Sequence, residues 1–417
     1  MNPSITDMNP PQRHSHPFNA KVLLERARAL EPLLRAQGPS SESHGKLTDE
    51  AFGAMRDAGL LKFLVPQCFG GAEANTLDAL EIIEALSYAD GSTGWVLMAT
   101  GVCTGIAAAC LPAGSARQLF GNGTPVIAGQ GAPNGQAVVA VQDGINGFRL
   151  TGKWSYGSGI LHSDHIHSGA VVMENGAPRL RADGRGPEIR TFIVPTAKAV
   201  MEGNWEVMGL RATGSVNYSI TDVFVPEEFT HAPEALHRNQ GGNVYSIGII
   251  GMTALGHTGF IIGAGRRMLD ELATFIAGKP PGRGGLLPPI SATQSFHEGF
   301  GHAEARYRAS RAFIFDAWGD LQKSLDRGDA LGTRQITLIR LALNHATSEI
   351  ADVCAWAYKT AGGYALRESA LQRCFRDVFA GTQHFLVSPT VLQECGRELA
   401  GLAKGEDWML LGLRKPV

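Results

Sequence analysis

The sequence predicts an α+β fold in three blocks: a helical domain, a β domain, then a helical bundle. Three observations predict it. Apolar residues recur at helical spacing from about residue 20 to 120, and again from about 240 to 405. Between them, short β-branched runs alternate with Gly, Asn and Pro. No repeat or heptad links the blocks. The 417 residues therefore divide into an N-terminal arm (1–19), a helical domain (20–124), a central β domain (125–235) and a C-terminal helical bundle (236–417).

The arm, MNPSITDMNPPQRHSHPF, is polar and Pro-rich. It lacks the apolar core of a signal sequence and reads as disordered. In the first helical block, Asn75 followed by Asp78 resembles a capping box before LEIIEALSYAD. Leu60 to Pro66 is a short apolar run closed by Pro66 and the Gly70-Gly71 turn. WVLMATGVCTGIAAACL reads as a buried helix. Its glycines and polar residues at helical spacing argue against a membrane span.

In the β block, AVVAV, FRLTGKWSY, IHSGAVVM, RTFIVP and NYSITDVFVP read as strands, with Asp143-Gly144 and Asn146-Gly147 as hairpin-type turns. The last block predicts helices over about 248–277, 298–326 and 334–360, the third stopped by Gly362-Gly363. A fourth carries Arg373 to Phe385 and continues beyond Pro389. GKPPGRGGLLPPIS, between the first two, is too rich in Pro and Gly to be regular.

Lys plus Arg is 37 and Asp plus Glu is 39, a net charge of −2. That balance favours neither nucleic acid nor an anionic membrane surface as a partner. The six cysteines, at 68, 103, 110, 354, 374 and 395, form no CxxC pair. They read as reduced thiols of a cytoplasmic protein. His162, His165 and His167 are spaced H-x-x-H-x-H. On a strand His165 and His167 share a face, but no third ligand is spaced to join them, and no metal is expected.

Three longer stretches resemble the acyl-CoA dehydrogenase superfamily: AFGAMRDAGLLKFLVPQCFGGAEANTLDALEIIEALSYADGSTGW, WEVMGLRATGSVNYSITDVFVPEE and KTAGGYALRESALQRCFRD. They occur in order and span most of residues 47 to 390. The resemblance implies an N-terminal helical domain, a central β-barrel or sandwich and a C-terminal bundle. In the dehydrogenases a carboxylate, shortly after an Arg-Asp pair, removes the substrate α-proton. Here Arg376-Asp377 is followed by VFAGTQHFLVS, with no Asp or Glu before Glu394. His384 stands where the base is expected.

That substitution resembles the two-component (group D) flavin-dependent monooxygenases of the same fold, as does KWSYGSGILHSDH. Their oxygenase components take reduced flavin, FMNH2 or FADH2, from a separate flavin reductase. They react it with O2 through a C4a-hydroperoxyflavin and oxygenate an aromatic or heteroaromatic small molecule. The absence of a GxGxxG fingerprint after a strand agrees with flavin reduced elsewhere.

The resemblance implies the site residues. His384 activates a substrate group or places a proton, since imidazole titrates near neutrality. Ser158 sits beside the flavin N5 and C4a edge, and His162 lies near flavin or substrate. Gln130, Gly131, Ala132 and Pro133 supply backbone donors to the ring, which Trp154 and Ser155 line. Arg266 meets flavin phosphate or ring oxygens, and Gly362 and Gly363 approach a cofactor in a neighbouring subunit of a homotetramer. Trp95 and Cys103 join His384 on the substrate side, Cys103 as a small neutral wall. Three alternatives remain open: a dehydrogenase or oxidase with its carboxylate elsewhere, a metal enzyme using the histidines, and a flavin-free binding relative.

Overall fold

The computed structural model describes residues 19–182, 184, 186–233, 238–279 and 288–415. The expected arm and the centre of the GKPPGRGGLLPPIS loop lie outside them.

The first block holds α1 (Ala20–Ala29), α2 (Glu31–His44), α3 (Asp49–Asp57), α4 (Thr76–Ala89), α5 (Gly91–Cys110) and α6 (Ala113–Phe120). The Leu60 to Gly71 stretch forms two short 3-10 turns between α3 and α4. Asn75 does cap α4: its Oδ1 accepts from the Asp78 N–H at 2.9 Å, and its Nδ2 donates to the Asp78 carboxylate at 2.8 Å. Asp90 caps α5 in the same way, accepting from Thr93 N and Oγ1, each at 2.9 Å.

Two helical stretches, Gly91–Cys110 and Asn243–Ala277, are long and apolar enough to cross a membrane, but their most apolar windows are 89% and 72% buried within the chain. They are core helices, packed on α4 and on each other.

The β block holds β1 (Ile127–Gln142), β2 (Ile145–Trp154), β3 (His165–Glu174), β4 (Ala177–Pro178), β5 (Ile189–Pro195), β6 (Val200–Met201), β7 (Tyr218–Pro226) and β8 (Thr230–His231). They form one sheet, ordered β6-β7-β2-β1-β3-β5-β8, with β4 beside β3. Among the described residues only β1 and β3 run parallel. The sheet curls so that Phe148, Trp154, Phe192 and Tyr218, from three strands, share one core. Asp143-Gly144 makes the β1–β2 turn, with φ +52 and +77. Asn146-Gly147 is no turn: both residues pair inside β2, opposite Val141 and Ala140. The first dipeptide already closes a two-residue hairpin, which leaves the second in register.

The C-terminal block holds α7 (Gly248–Ala277), α8 (Gln294–Arg327), α9 (Thr333–Ala361), α10 (Ala370–Gly381) and α11 (Pro389–Leu399). The fourth expected helix therefore stops early. The Thr382 hydroxyl donates to the Phe379 carbonyl at 2.7 Å, and Pro389 can only begin a new helix. His384 thus lies off the helix, in extended backbone (φ −72, ψ 140) before the 3-10 turn Phe385–Val387.

DWMLLGL folds into a hairpin, β9 (Asp407–Met409) with β10 (Gly412–Arg414). Trp408 Nε1 donates to Thr337 Oγ1 at 2.8 Å, and the Arg340 guanidinium lies 4.0 Å over the Trp408 ring. Arg397 on α11 pairs with Glu394 and Glu406, each at 2.7 Å. The hairpin thereby ties α9 to α11.

The segment WEVMGLRATGS connects the sheet to α10. Leu210 N–H donates to Asp377 Oδ1 at 2.6 Å, and Arg376 Nη1 donates to the Met208 carbonyl at 2.8 Å. Arg376 also pairs with Glu42 on α2 at 2.5 Å. The backbones meet so closely that a Cβ on Gly209 would lie 2.0 Å from the Arg376 carbonyl oxygen. Gly209→Ala is expected to destabilise the fold by about 1–3 kcal/mol; a thermal melt matching wild type would contradict this close docking.

Candidate active site

Trp95, early on α5, is the floor of an aromatic cluster. His257 on α7 meets it edge-on at 4.7 Å between ring centroids, Phe260 at 4.9 Å and His384 at 6.2 Å. The His257 and His384 rings overlap at 3.7 Å with 30° between their planes. Phe385 flanks His384 at 4.4 Å and is itself exposed.

Both imidazoles are neutral at pH 7. Burial pulls His384 down to about 4, and burial, then His384 itself, pulls His257 well below the ordinary histidine value. No carboxylate contributes to either shift. Leu386 N–H donates weakly to His384 Nδ1 at 3.4 Å. The proton of the neutral ring then belongs on Nε2, which is left for a ligand. His384 is therefore a poised hydrogen-bond donor and a weaker base than an unperturbed histidine, which modifies the expectation drawn from its usual pKa.

On its other side Trp95 donates from Nε1 to Ser158 Oγ at 3.0 Å. Ser158 Oγ lies 2.7 Å from Ser215 Oγ, which lies 2.7 Å from Thr213 Oγ1, which donates to the Leu210 carbonyl at 2.8 Å. Ser158 follows Tyr156, exposed and held at φ +64, a region bulky residues avoid. The turn carrying Ser155 and Ser158 is thus strained, as site turns often are.

Elsewhere in the β domain, β1 leaves the sheet. Gln130 pairs with Ser168 and Gly135 with Ala170, so Gly131 to Asn134 bulge out, pairing with neither β2 nor β3. Gly169 permits it: a Cβ there would sit 2.1 Å from the Gly131 oxygen. The Gln130 N–H donates to Tyr218 Oη at 3.1 Å, and its Oε1 accepts from Ala132 N at 3.3 Å. Trp154 braces the bulge from below, donating to the Ala132 and Gly169 carbonyls at 3.2 and 2.9 Å while stacking on Tyr218. Its ring is buried in the β core, so Trp154 supports this wall and does not line it.

Other expected site residues fall elsewhere. His162 stacks on Phe52 of α3 at 4.3 Å, lowered to about 4 chiefly by burial, away from the Trp95 cluster. Arg266 faces the helical bundle, paired with Glu304 at 2.7 Å and Asp270 at 2.8 Å. Gly362 and Gly363 stand exposed at the end of α9 with open space around them. Cys103 lies two turns along α5 from Trp95, buried among Ile127, Ile193 and Ala107, and burial pushes its thiol up to about 12. Ser155 is half-buried beside Trp154. His165 and His167 lie on β3; among the described residues no group of three or more His, Cys, Asp or Glu is placed to hold a metal ion.

His257, Phe260, Ser215 and Thr213 were not singled out from sequence. A histidine within an apolar helix reads as core. What could have marked His257 is its setting, ALGHTGF, where small residues flank it and leave its ring room.

Two family models match the chain: the acyl-CoA dehydrogenase N-terminal domain over residues 28–118 and the C-terminal domain over 255–389. The chain is 27% identical to indole-3-acetate monooxygenase of Pseudomonas putida, over 89% of this chain and 93% of that one. It is 32% identical to the flavin-dependent monooxygenase oxygenase subunit HsaA of Rhodococcus jostii, over 49% of this chain and 50% of that one. The solved structure of XiaF from Streptomyces sp., in complex with FADH2 and glycerol, superposes with a TM-score of 0.82 at 23% identity, covering 92% of this chain and 96% of that one.

Proposed function

This chain belongs to the acyl-CoA dehydrogenase superfamily, and from that premise we propose that it is the oxygenase component of a two-component flavin-dependent monooxygenase. Its cofactor is reduced flavin, FMNH2 or FADH2, delivered by a partner reductase, and its substrate is a small aromatic or heteroaromatic molecule. The observation that carries the reading is the pair of neutral imidazoles, His257 and His384, against Trp95, with no carboxylate acting on either. Among the described residues the buried carboxylates are engaged elsewhere: Asp90 caps α5 and Asp377 holds the Leu210 N–H. A dehydrogenase would need one of them free.

The residues fit a flavin ring. The bulge Gly131 to Asn134 turns backbone out of the sheet, and Ser158 presents an uncharged hydroxyl toward Trp95. When bound, the reduced flavin supplies the chemistry that activates oxygen. The chain supplies position, dryness and proton control. His384 Nε2 holds the substrate's polar atom, Trp95 and Phe260 form its apolar wall, and Ser158 meets the cofactor edge. In this reading Gly362 and Gly363 serve a neighbouring subunit of a homotetramer, beside the exposed Tyr364 and Leu366. We place the enzyme in the cytoplasm, where its six unpaired thiols persist.

The test is reconstitution with a separate NADH-driven flavin reductase, FMN or FAD, and a panel of phenols and indoles under ¹⁸O2. Incorporation of one labelled oxygen into an aromatic product is the expected result. Reduction of bound FAD by an acyl thioester, without oxygenation, would overturn it. Ser158→Ala is expected to raise the share of consumed reduced flavin that ends as hydrogen peroxide, because the cofactor edge loses a contact that helps exclude water. Unaltered coupling would count against that role.

A further inference from the structure

The hydrogen bonds that run through Ser158 share one direction when each contact in the file carries its own hydrogen. The file begins at Trp95 Nε1, which can only donate, and ends at the Leu210 carbonyl, which can only accept. Three hydroxyls stand between: Ser158, Ser215 and Thr213. Four contacts need four hydrogens, and the indole N–H plus three O–H groups supply four. Thr213 must give its proton to the Leu210 carbonyl, so it accepts from Ser215. Ser215 must then accept from Ser158. The Ser158 proton is consumed, and of its two lone pairs one is taken by Trp95.

We propose that Ser215 and Thr213 lock Ser158 as a hydrogen-bond acceptor toward its ligand, and that this lock makes the site prefer reduced over oxidised flavin. The inference rests on the reading above that Ser158 borders the flavin N5 edge. The chemistry follows from the two forms of the ring. Dihydroflavin carries an N–H at N5, which can donate into the remaining Ser158 lone pair. Oxidised flavin presents a bare nitrogen lone pair at the same place, so two acceptors would face each other. The reduced form gains a bond and the oxidised form meets repulsion. The same polarity loosens the oxidised ring once turnover is complete. Ser215 and Thr213 are positioning residues in this scheme, since they act through Ser158. Thr213 and Ser215 are buried, 1% and 2% exposed, so water does not compete for their protons.

The experiment is an anaerobic titration of the full chain with FMN and with FAD, each oxidised and dithionite-reduced, reading dissociation constants by ultrafiltration. Ser215→Ala frees the Ser158 proton to turn outward and donate. Oxidised flavin should then bind about 3- to 30-fold tighter, with little change for reduced flavin. Thr213→Val releases the file one step further back and should narrow the preference in the same sense, while Ser215→Thr, which keeps the hydroxyl, should restore it. Ser158→Ala should narrow it differently, by weakening the reduced arm. If wild type prefers reduced flavin and both Ser215→Ala and Thr213→Val keep that ratio, with melts like wild type, the lock is refuted and the oxygenase reading stands. If wild type binds neither form, the oxygenase reading itself fails.

Discussion

His384→Ala is expected to cut product formation by about 10²- to 10⁴-fold, the usual range for losing a positioned proton-transfer group. Reduced-flavin binding should change little, because His384 contacts Trp95, His257 and Phe385 and not the bulge of β1. The pH profile adds a second check. The ring is lowered to about 4 by burial, so the neutral form persists from pH 8 down to about 5. Turnover should therefore be flat across that range and fall only as pH approaches 4. An inflection near 6.5 would mean that the ring is solvated in solution, and unchanged turnover in the alanine variant would remove His384 from the chemistry.

Asp377→Asn is expected to stabilise the protein increasingly as pH rises. Asp377 is buried on α10, and its carboxyl is pushed up to about 8, first by burial and then by the charge of Asp90. In the unfolded chain it titrates near its ordinary 3.8. The sign follows. Below about pH 4 both states hold the proton and nothing is lost. Between 4 and 8 the unfolded chain ionises while the folded chain does not, so stability falls as pH rises through that window. Asparagine cannot ionise, yet its Oδ1 still accepts from Leu210 N–H. The variant's advantage should vanish near pH 4 and grow to on the order of 5 kcal/mol at pH 8. Urea midpoints across that range measure it; a difference independent of pH would contradict the protonated Asp377.

The block order was legible because each block carries its own period: helical spacing at either end, β-branched alternation between. Asn75 was legible as a cap because its partner is three residues away. The errors share a physical cause, which is that the deciding partner is distant in the chain. His384 keeps helical phase with α10, but a threonine hydroxyl ends that helix first. Trp154 reads as a ring-lining aromatic until Gly169 and Ala132 are seen to take its N–H. His257 lay unnoticed because its significance depends on a ring from the far end of the chain. Ser215 and Thr213 look like ordinary turn hydroxyls, and only their order in space gives them a direction.

The segment from Gly209 to Val216 has one more consequence. At one end it is fastened to α10 through Leu210 and Asp377; at the other it reaches α5 through Ser215, Ser158 and Trp95. A substitution that moves either anchorage would disturb the other, which leaves little freedom for retuning the enzyme there. Phe260 and Phe385 touch the same rings by packing alone. Directed evolution toward bulkier or slimmer substrates should accordingly accumulate its changes at those two phenylalanines and leave the hydroxyl residues untouched.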